Sequence, residues 1–154
     1  MGKLDKLIEK LCPHGVEYVS LIDVCNTITT GKLNANAMVE GGQYPFFTCD
    51  ENPYRIDKYA FDATAIIISG NGSKVGHINF YEGKFNAYQR TYILTDFKSI
   101  RVKFLLHYLK GTLREYITTH SRKGSVPYIT MPMLTKFKIP LPPLPVQEEI
   151  VRIL

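Results

Sequence analysis

Ser69-Gly70-Asn71-Gly72-Ser73-Lys74 sets two glycines, an amide, two hydroxyls and an ammonium in six residues, the chemistry of a phosphate cradle. The spacing is not that of the G-x-x-x-x-G-K-[ST] nucleotide loop, and the residues that follow read as strand, so no helix N-terminus stands behind the glycines. What the segment can do is turn N–H groups and polar side chains toward a phosphate or a base edge; a plain hairpin turn is the alternative. Three further polar clusters have the same make-up: Thr29, Thr30 and Lys32; Tyr88, Gln89 and Arg90; and Ser121, Arg122, Lys123 and Ser125. Cations neutralise phosphates, while arginine pairs bidentately with guanine and glutamine or asparagine with adenine, each pair discriminating by about 1–3 kcal/mol. The candidate DNA-binding set is therefore Thr30, Lys32, Asn71, Ser73, Lys74, Tyr88, Gln89, Arg90, Arg122, Lys123 and Ser125. A solvated loop would have the same composition, and Gln89, beside an apparent strand, could instead close a backbone hydrogen bond.

Catalytic constellations are not supported. Asp50-Glu51 and Glu148-Glu149 are sequence neighbours whose side chains diverge, which suits solvated carboxylates better than an acid–base pair. Four scattered histidines offer no nucleophile an evident base. Asn52-Pro53-Tyr54 lacks one proline of the N-P-P-Y motif of amino-methyltransferases and reads as a turn. Cys12 and His14 with either other cysteine would be an incomplete metal site, with no C-x-x-C pair or clustered histidines to support it, so neither a metal nor a cofactor is expected. Three widely separated cysteines suit reduced thiols, and no apolar run approaches the length of a bilayer span, so a cytoplasmic protein with no membrane partner is expected. The chain reads as a binder.

Charge distribution points the same way. Residues 97–140 carry nine lysines and arginines against Glu115 alone, a net of +8, while the remainder of the +5 chain is at −3. Such asymmetry suits a surface that meets a polyanion, with a solvated basic face or a face for an acidic protein as the alternatives.

The elements that must position these residues follow from periodicity. Leu4, Leu7, Ile8 and Leu11 predict a short amphipathic helix ended by Pro13 and Gly15; Val16 to Val19 predicts a strand, and Leu21 to Cys25 a helical turn capped by Ser20. The polar tract NTITTGKLNANA from Asn26 reads as a loop. Tyr44 to Thr48, Ala65 to Ser69, Lys74 to Tyr81 and Thr91 to Thr95 are β-branched and aromatic runs separated by glycine, asparagine and proline, with Ala65 to Ile68 apolar enough for a central strand. From about Ser99 to Thr119, Val102, Leu105, Leu106, Leu109, Leu113, Tyr116 and Ile117 share one helical face, with Lys103, His107, Lys110 and Arg114 a quarter-turn away. Gly111 interrupts that helix, which suggests close packing there. SRKGSVPYITMPML should be a basic loop and short strand. Pro140, Pro142, Pro143 and Pro145 then predict an extended connector, with helix only from Pro145 onward. Val146, Ile150, Ile153 and Leu154 form an apolar stripe for which the chain offers no evident cover, the natural candidate for a subunit interface.

In order, Cys12-Pro13-His14-Gly15-Val16-Glu17-Tyr18, Thr30-Gly31-Lys32, Tyr44-Pro45-Phe46-Phe47, AIIISGNGSKVGHINFYEGKF, GSVPYIT and KIPLPPLPVQEEIVRIL resemble the specificity (S, or HsdS) subunits of type I restriction–modification systems, over almost the whole chain. The resemblance implies a target recognition domain of mixed α/β, or α+β, class: a twisted, largely antiparallel sheet with flanking helices and irregular loops over residues 1–140, then a proline connector and the start of a spacer helix over 141–154. Family members usually carry two such domains in pseudo-twofold repeat, each reading half of a split DNA site, with two long helices pairing as a spacer. They do no chemistry; they position methyltransferase (M) subunits, which a restriction (R) subunit joins. The implied partners are double-stranded DNA, the M subunits and through them the R subunit, and a second copy or second recognition domain through the spacer. These residues hold one recognition domain and the first turns of the spacer, where the pattern has two domains and full-length helices.

Overall fold

The computed structural model describes residues 2–121, 124 and 126–154. Helix α1 (Lys3–Leu11) leads to strand β1 (Tyr18–Ser20), a 3-10 turn (Leu21–Asp23) and β2 (Cys25–Thr30). Strands β3 (Tyr44–Phe47), β4 (Tyr54–Ile56), β5 (Phe61–Ser69), β6 (Ile78–Ala87) and β7 (Thr91–Phe97) precede the long helix α2 (Val102–His120); α3 (Met131–Thr135), β8 (Lys138–Pro140) and α4 (Leu144–Ile153) complete the chain. β1 and β8 form a small antiparallel ribbon, and the main sheet has the order β2-β7-β5-β6-β3-β4, antiparallel except between β3 and β6.

β5 is central, as its apolar run requires, and serves two cores. Ile66 and Ile68 face α2, packing with Leu94, Phe104, Leu105, Leu109 and Leu113, while Ala65 and Ile67 face a second cluster of Phe47, Phe85, Ala87 and Ile93. That second cluster is closed by the sheet's own aromatic rings, Phe47, Phe61, Tyr81 and Phe85, with centroids 5.1–5.8 Å apart. The sheet must therefore coil. Phe85 pairs with Phe61 at the start of β5 and Thr91 pairs with Ser69 at its end, so the short Phe85–Thr91 stretch crosses the length of a nine-residue strand. At a reach of about 3.3–3.6 Å per residue, only a strongly bent sheet permits this. Gly83, at φ +135°, lies in the middle of β6 where the bend is needed, and a parallel bridge between Leu33 and Tyr88 joins the extension of β2 to that of β6.

Several expectations are corrected. Cys25–Thr30 is strand, rather than the end of a helical turn followed by loop from Asn26: its threonines are polar, but β-branching suits a half-exposed strand, and it pairs with β7 from Cys25–Phe97 to Thr30–Tyr92. Lys74 to His77 belongs to the glycine turn, where Gly72 and Gly76 take positive φ; β6 starts at Ile78 and runs through Gly83 to Ala87, beyond the expected end at Tyr81. Met131–Thr135 is helix, not strand, because the Thr130 hydroxyl accepts from Met133 N at 3.3 Å and Pro132 suits a first turn. Gly111 is exposed, and a methyl group there would meet nothing within 4 Å, so it marks no close packing. Gly111→Ala should accordingly raise stability by about 1 kcal/mol, read as a higher urea midpoint at unchanged m.

The C-terminal stripe is also corrected. Helix α4 begins at Leu144, one residue early, because a first-turn proline forfeits no helical hydrogen bond. It packs against α1 and α2: Ile150 is fully buried, and Val146 and Val151 are half-buried against the same core. The chain itself thus covers Ile150 and part of Val146, leaving Ile153 and Leu154, each 40% exposed, at the open end of the stripe.

Cys25 is fully buried in the α2-side core, and burial pushes its thiol up to about 12; burial likewise raises the Tyr108 hydroxyl to about 12. Both groups are harder to ionise folded than unfolded. Their contribution is complete below the ordinary thiol and phenol values of about 9 and 10 and is lost as pH rises toward about 12. Stability should therefore fall steadily above about pH 9, and a pH series of urea midpoints flat through that window would contradict it.

Candidate nucleic-acid interface

The sheet's coil has one seam, and the polar clusters gather there. Gly31 N donates to Thr91 O at 3.1 Å, Tyr88 N to Phe47 O at 2.9 Å, Gln89 N to Leu33 O at 2.9 Å, and Gly70 N to Arg90 O at 3.0 Å. These bonds link the end of β2, the end of β3, the glycine turn after β5 and the β6–β7 connection. Thr30 is the last residue of β2 rather than a loop residue, and Lys32 follows it, exposed. Gln89 does close a backbone bond, but through its N–H; its side chain stays exposed, as does that of Arg90. The two readings of Gln89 are thus compatible.

Above the seam lies an open cleft of about 640 Å³ lined by Gly70, Asn71, Gly72, Gln89, Arg90 and Tyr92 on one side and by Val126 to Ile129 on the other. Its walls are fixed by backbone. Ile129 N donates to Gly70 O at 2.8 Å, and the Tyr92 hydroxyl, inside the wall, donates to Ile129 O at 3.0 Å. Asn71, Gln89 and Arg90 thus line one concavity, beside an apolar lip in which Val126 is 69% and Tyr128 57% exposed. Sequence reasoning placed Asn71 in one loop and Gln89 and Arg90 in another, and left Val126 and Tyr128 out. The signal available was two large apolar side chains in a tract with no strand or helix period.

Lys74 lies at the flank. Its ammonium pairs with Glu51 at 2.8 Å, in solvent, and holds that carboxyl below its ordinary value, so Lys74 offers less free charge than its type suggests. Ser73 is exposed beside it. Asn52 and Pro53 make the turn into β4, as read, and the Tyr54 hydroxyl donates to Asp50. Arg122, Lys123 and Ser125 lie outside the described residues, although the chain immediately after them forms the cleft's lip. Among the described residues no three histidine, cysteine or acidic side chains gather as metal ligands.

A coiled, largely antiparallel sheet flanked by helices, with loop residues suited to phosphates and base edges at one seam, defines a recognition domain. The sequence matches the family of type I restriction modification DNA specificity domains over residues 13–154, and the chain belongs to that family, a specificity component with no catalytic role. It is 44% identical over 115 residues to the specificity subunit of the type I restriction enzyme EcoDI of Escherichia coli, a match covering 75% of this chain and 25% of that protein. The fold is that of the type I restriction–modification S subunit from M. genitalium (TM-score 0.73, 18% identity) and of the HsdS subunit from Thermoanaerobacter tengcongensis (TM-score 0.72, 21% identity); each match covers 97% of this chain and 41% of the other. The chain thus spans about a quarter of the E. coli relative and two-fifths of each solved chain.

Proposed function

We propose that this chain reads one half of a bipartite DNA sequence as a target recognition domain, within a specificity subunit that assembles with methyltransferase and restriction subunits in the cytoplasm. Residues 1–140 are the reading unit and 141–154 the connector and first turns of the spacer. The observation that carries the reading is that Asn71, Gln89 and Arg90 line one cleft, with Thr30 at the end of the adjoining strand β2 and Lys32 two residues beyond it. Planar amides and guanidinium suit base edges; Lys32, exposed at the rim, suits a phosphate. Arg122, Lys123, Ser125, Ser73, Lys74 and Tyr88 extend the same set. Among the described residues no helix is long and apolar enough to cross a membrane.

Two measurements test it. Binding to duplex DNA should weaken steeply with salt, because each neutralised phosphate contributes about 0.9 to the log–log slope; a slope near zero would favour a basic module for assembling with acidic proteins instead. Arg90→Ala should relax preference at particular base pairs of the methylated motif, by about 1–3 kcal/mol there, while Lys32→Ala should weaken all sequences alike. Uniform loss from Arg90→Ala would reassign that residue to the backbone.

A further inference from the structure

Helix α2 carries a row of basic side chains that the cleft does not use. Lys103, His107, Lys110 and Arg114 are all exposed on α2. At 100° per residue they fall within about 60° of arc, and Lys103 to Arg114 span about 16 Å along the axis. Lys103, Lys110 and Arg114 take part in no ion pair among the described residues. The helix's own acid, Glu115, lines a separate groove with Tyr108, Tyr116 and Phe137. The row is therefore free positive charge, not one side of an internal network.

Its direction ties it to the seam. At one end the Lys103 ammonium sits 4.0 Å from the centroid of the Phe80 ring in β6. At the other, a methyl group on Gly76, in the glycine turn, would lie 3.5 Å from Arg114 Cα. The row thus climbs from the flank of β6 to the turn that supplies Asn71 to the cleft. Phosphates of one strand recur every 3.4 Å along the duplex axis, so about 16 Å of cations matches roughly five base pairs of backbone.

We propose that the Lys103–Lys110–Arg114 face of α2 is a phosphate track, holding duplex backbone that continues outward from the bases read at the cleft. The inference rests on the DNA-reading function above and adds a second, sequence-independent contact to it. Lys103, Lys110 and Arg114 then set the salt dependence of binding and leave base preference to the loops.

The test is titration of the full chain with a fluorescent mixed-sequence duplex several helical turns long, between about 50 and 200 mM salt. Compared with the parent, the triple variant Lys103→Gln, Lys110→Gln, Arg114→Gln should lose about 2.7 from the magnitude of the log–log slope, 0.9 for each phosphate released. The charge-preserving set Lys103→Arg, Lys110→Arg, Arg114→Lys should retain the parent slope. A steep parent slope left unchanged by the glutamine set would overturn the track while leaving DNA reading by the loops intact. A parent slope near zero would overturn the reading itself. Loss of slope in the charge-preserving set as well, with its thermal unfolding unaltered, would also overturn the track, since charge would not be what the positions supply.

Discussion

Gln147→Leu should destabilise the fold by about 3 kcal/mol, which makes one amide in the terminal helix worth a large part of the domain's stability. Gln147 is fully buried. Its Nε2 donates to Pro142 O at 2.8 Å and to Ser99 O at 3.3 Å, and its Oε1 accepts from Arg101 N at 2.8 Å. One side chain therefore joins α4, the connector before it and the N-cap residue of α2. Leucine fills the space but strands an N–H and two carbonyls. The Pro142 carbonyl bond is buried, while the Ser99 and Arg101 bonds are only part-buried and recover some water, so the total stays well below three full penalties. The nearby Arg101–Glu148 ion pair is about half exposed on both sides, so removing it should cost under about 1 kcal/mol. Gln147→Glu sharpens the test. It preserves the acceptor toward Arg101 N but turns an ionised oxygen toward two carbonyls, which raises the folded carboxyl above its ordinary value. A group raised on folding contributes below its unfolded pKa and loses that contribution as pH rises. The variant should approach the parent near pH 4 and fall furthest behind at neutral pH, with urea midpoints as the readout. Parent-like stability at neutral pH would mean that Gln147 does not hold these elements together.

Local pattern announced the elements and residue types, and long-range pairing decided the rest. The α2 face from Leu105 to Ile117 and the apolar run of β5 were legible because their periods come from what they bury. So were Asn71, Gln89 and Arg90 as planar hydrogen-bonding residues in loops. That they share one cleft was not legible, because it depends on Gly70 N meeting Arg90 O and on Leu33 pairing with Tyr88 across more than fifty residues. Strand β2 was missed because threonine's polarity masked its β-branching. The role of Gln147 was not legible either: its partners include Ser99 and Arg101, more than forty residues earlier, and no local window contains them. Ile150 seemed to need another subunit for the same reason, since α1 and α2 cover it from far away in sequence.

Gly31→Ala should open the seam. A methyl group at Gly31 would stand 2.1 Å from Ala87 O, 2.2 Å from Ala87 C and 2.5 Å from Tyr88 O. All three are backbone atoms at the end of β6 and just beyond it, so no side-chain rotation relieves the clash, and the two edges must part. Parting them strains the bonds from Gly31 N to Thr91 O, from Tyr88 N to Phe47 O and from Gln89 N to Leu33 O, so a loss of about 3 kcal/mol is expected, the upper range for overpacking. Gly72→Ala supplies the comparison. Nothing lies within 4 Å of a methyl group there, and only its φ of +85° opposes alanine, so about 1–2 kcal/mol should be lost. The larger consequence is for recognition. Thr30 precedes Gly31, and Gln89 and Arg90 follow the strand it touches, so opening the seam displaces candidate readers from both edges at once while removing no charge. At a temperature where the Gly31→Ala protein is still folded, preference for the methylated motif over mixed-sequence DNA should collapse, yet the salt slope of the residual binding should stay near the parent value. Retained preference would mean that the bases are read away from the seam, and a slope that fell with the preference would mean that phosphate contact also depends on the seam being closed.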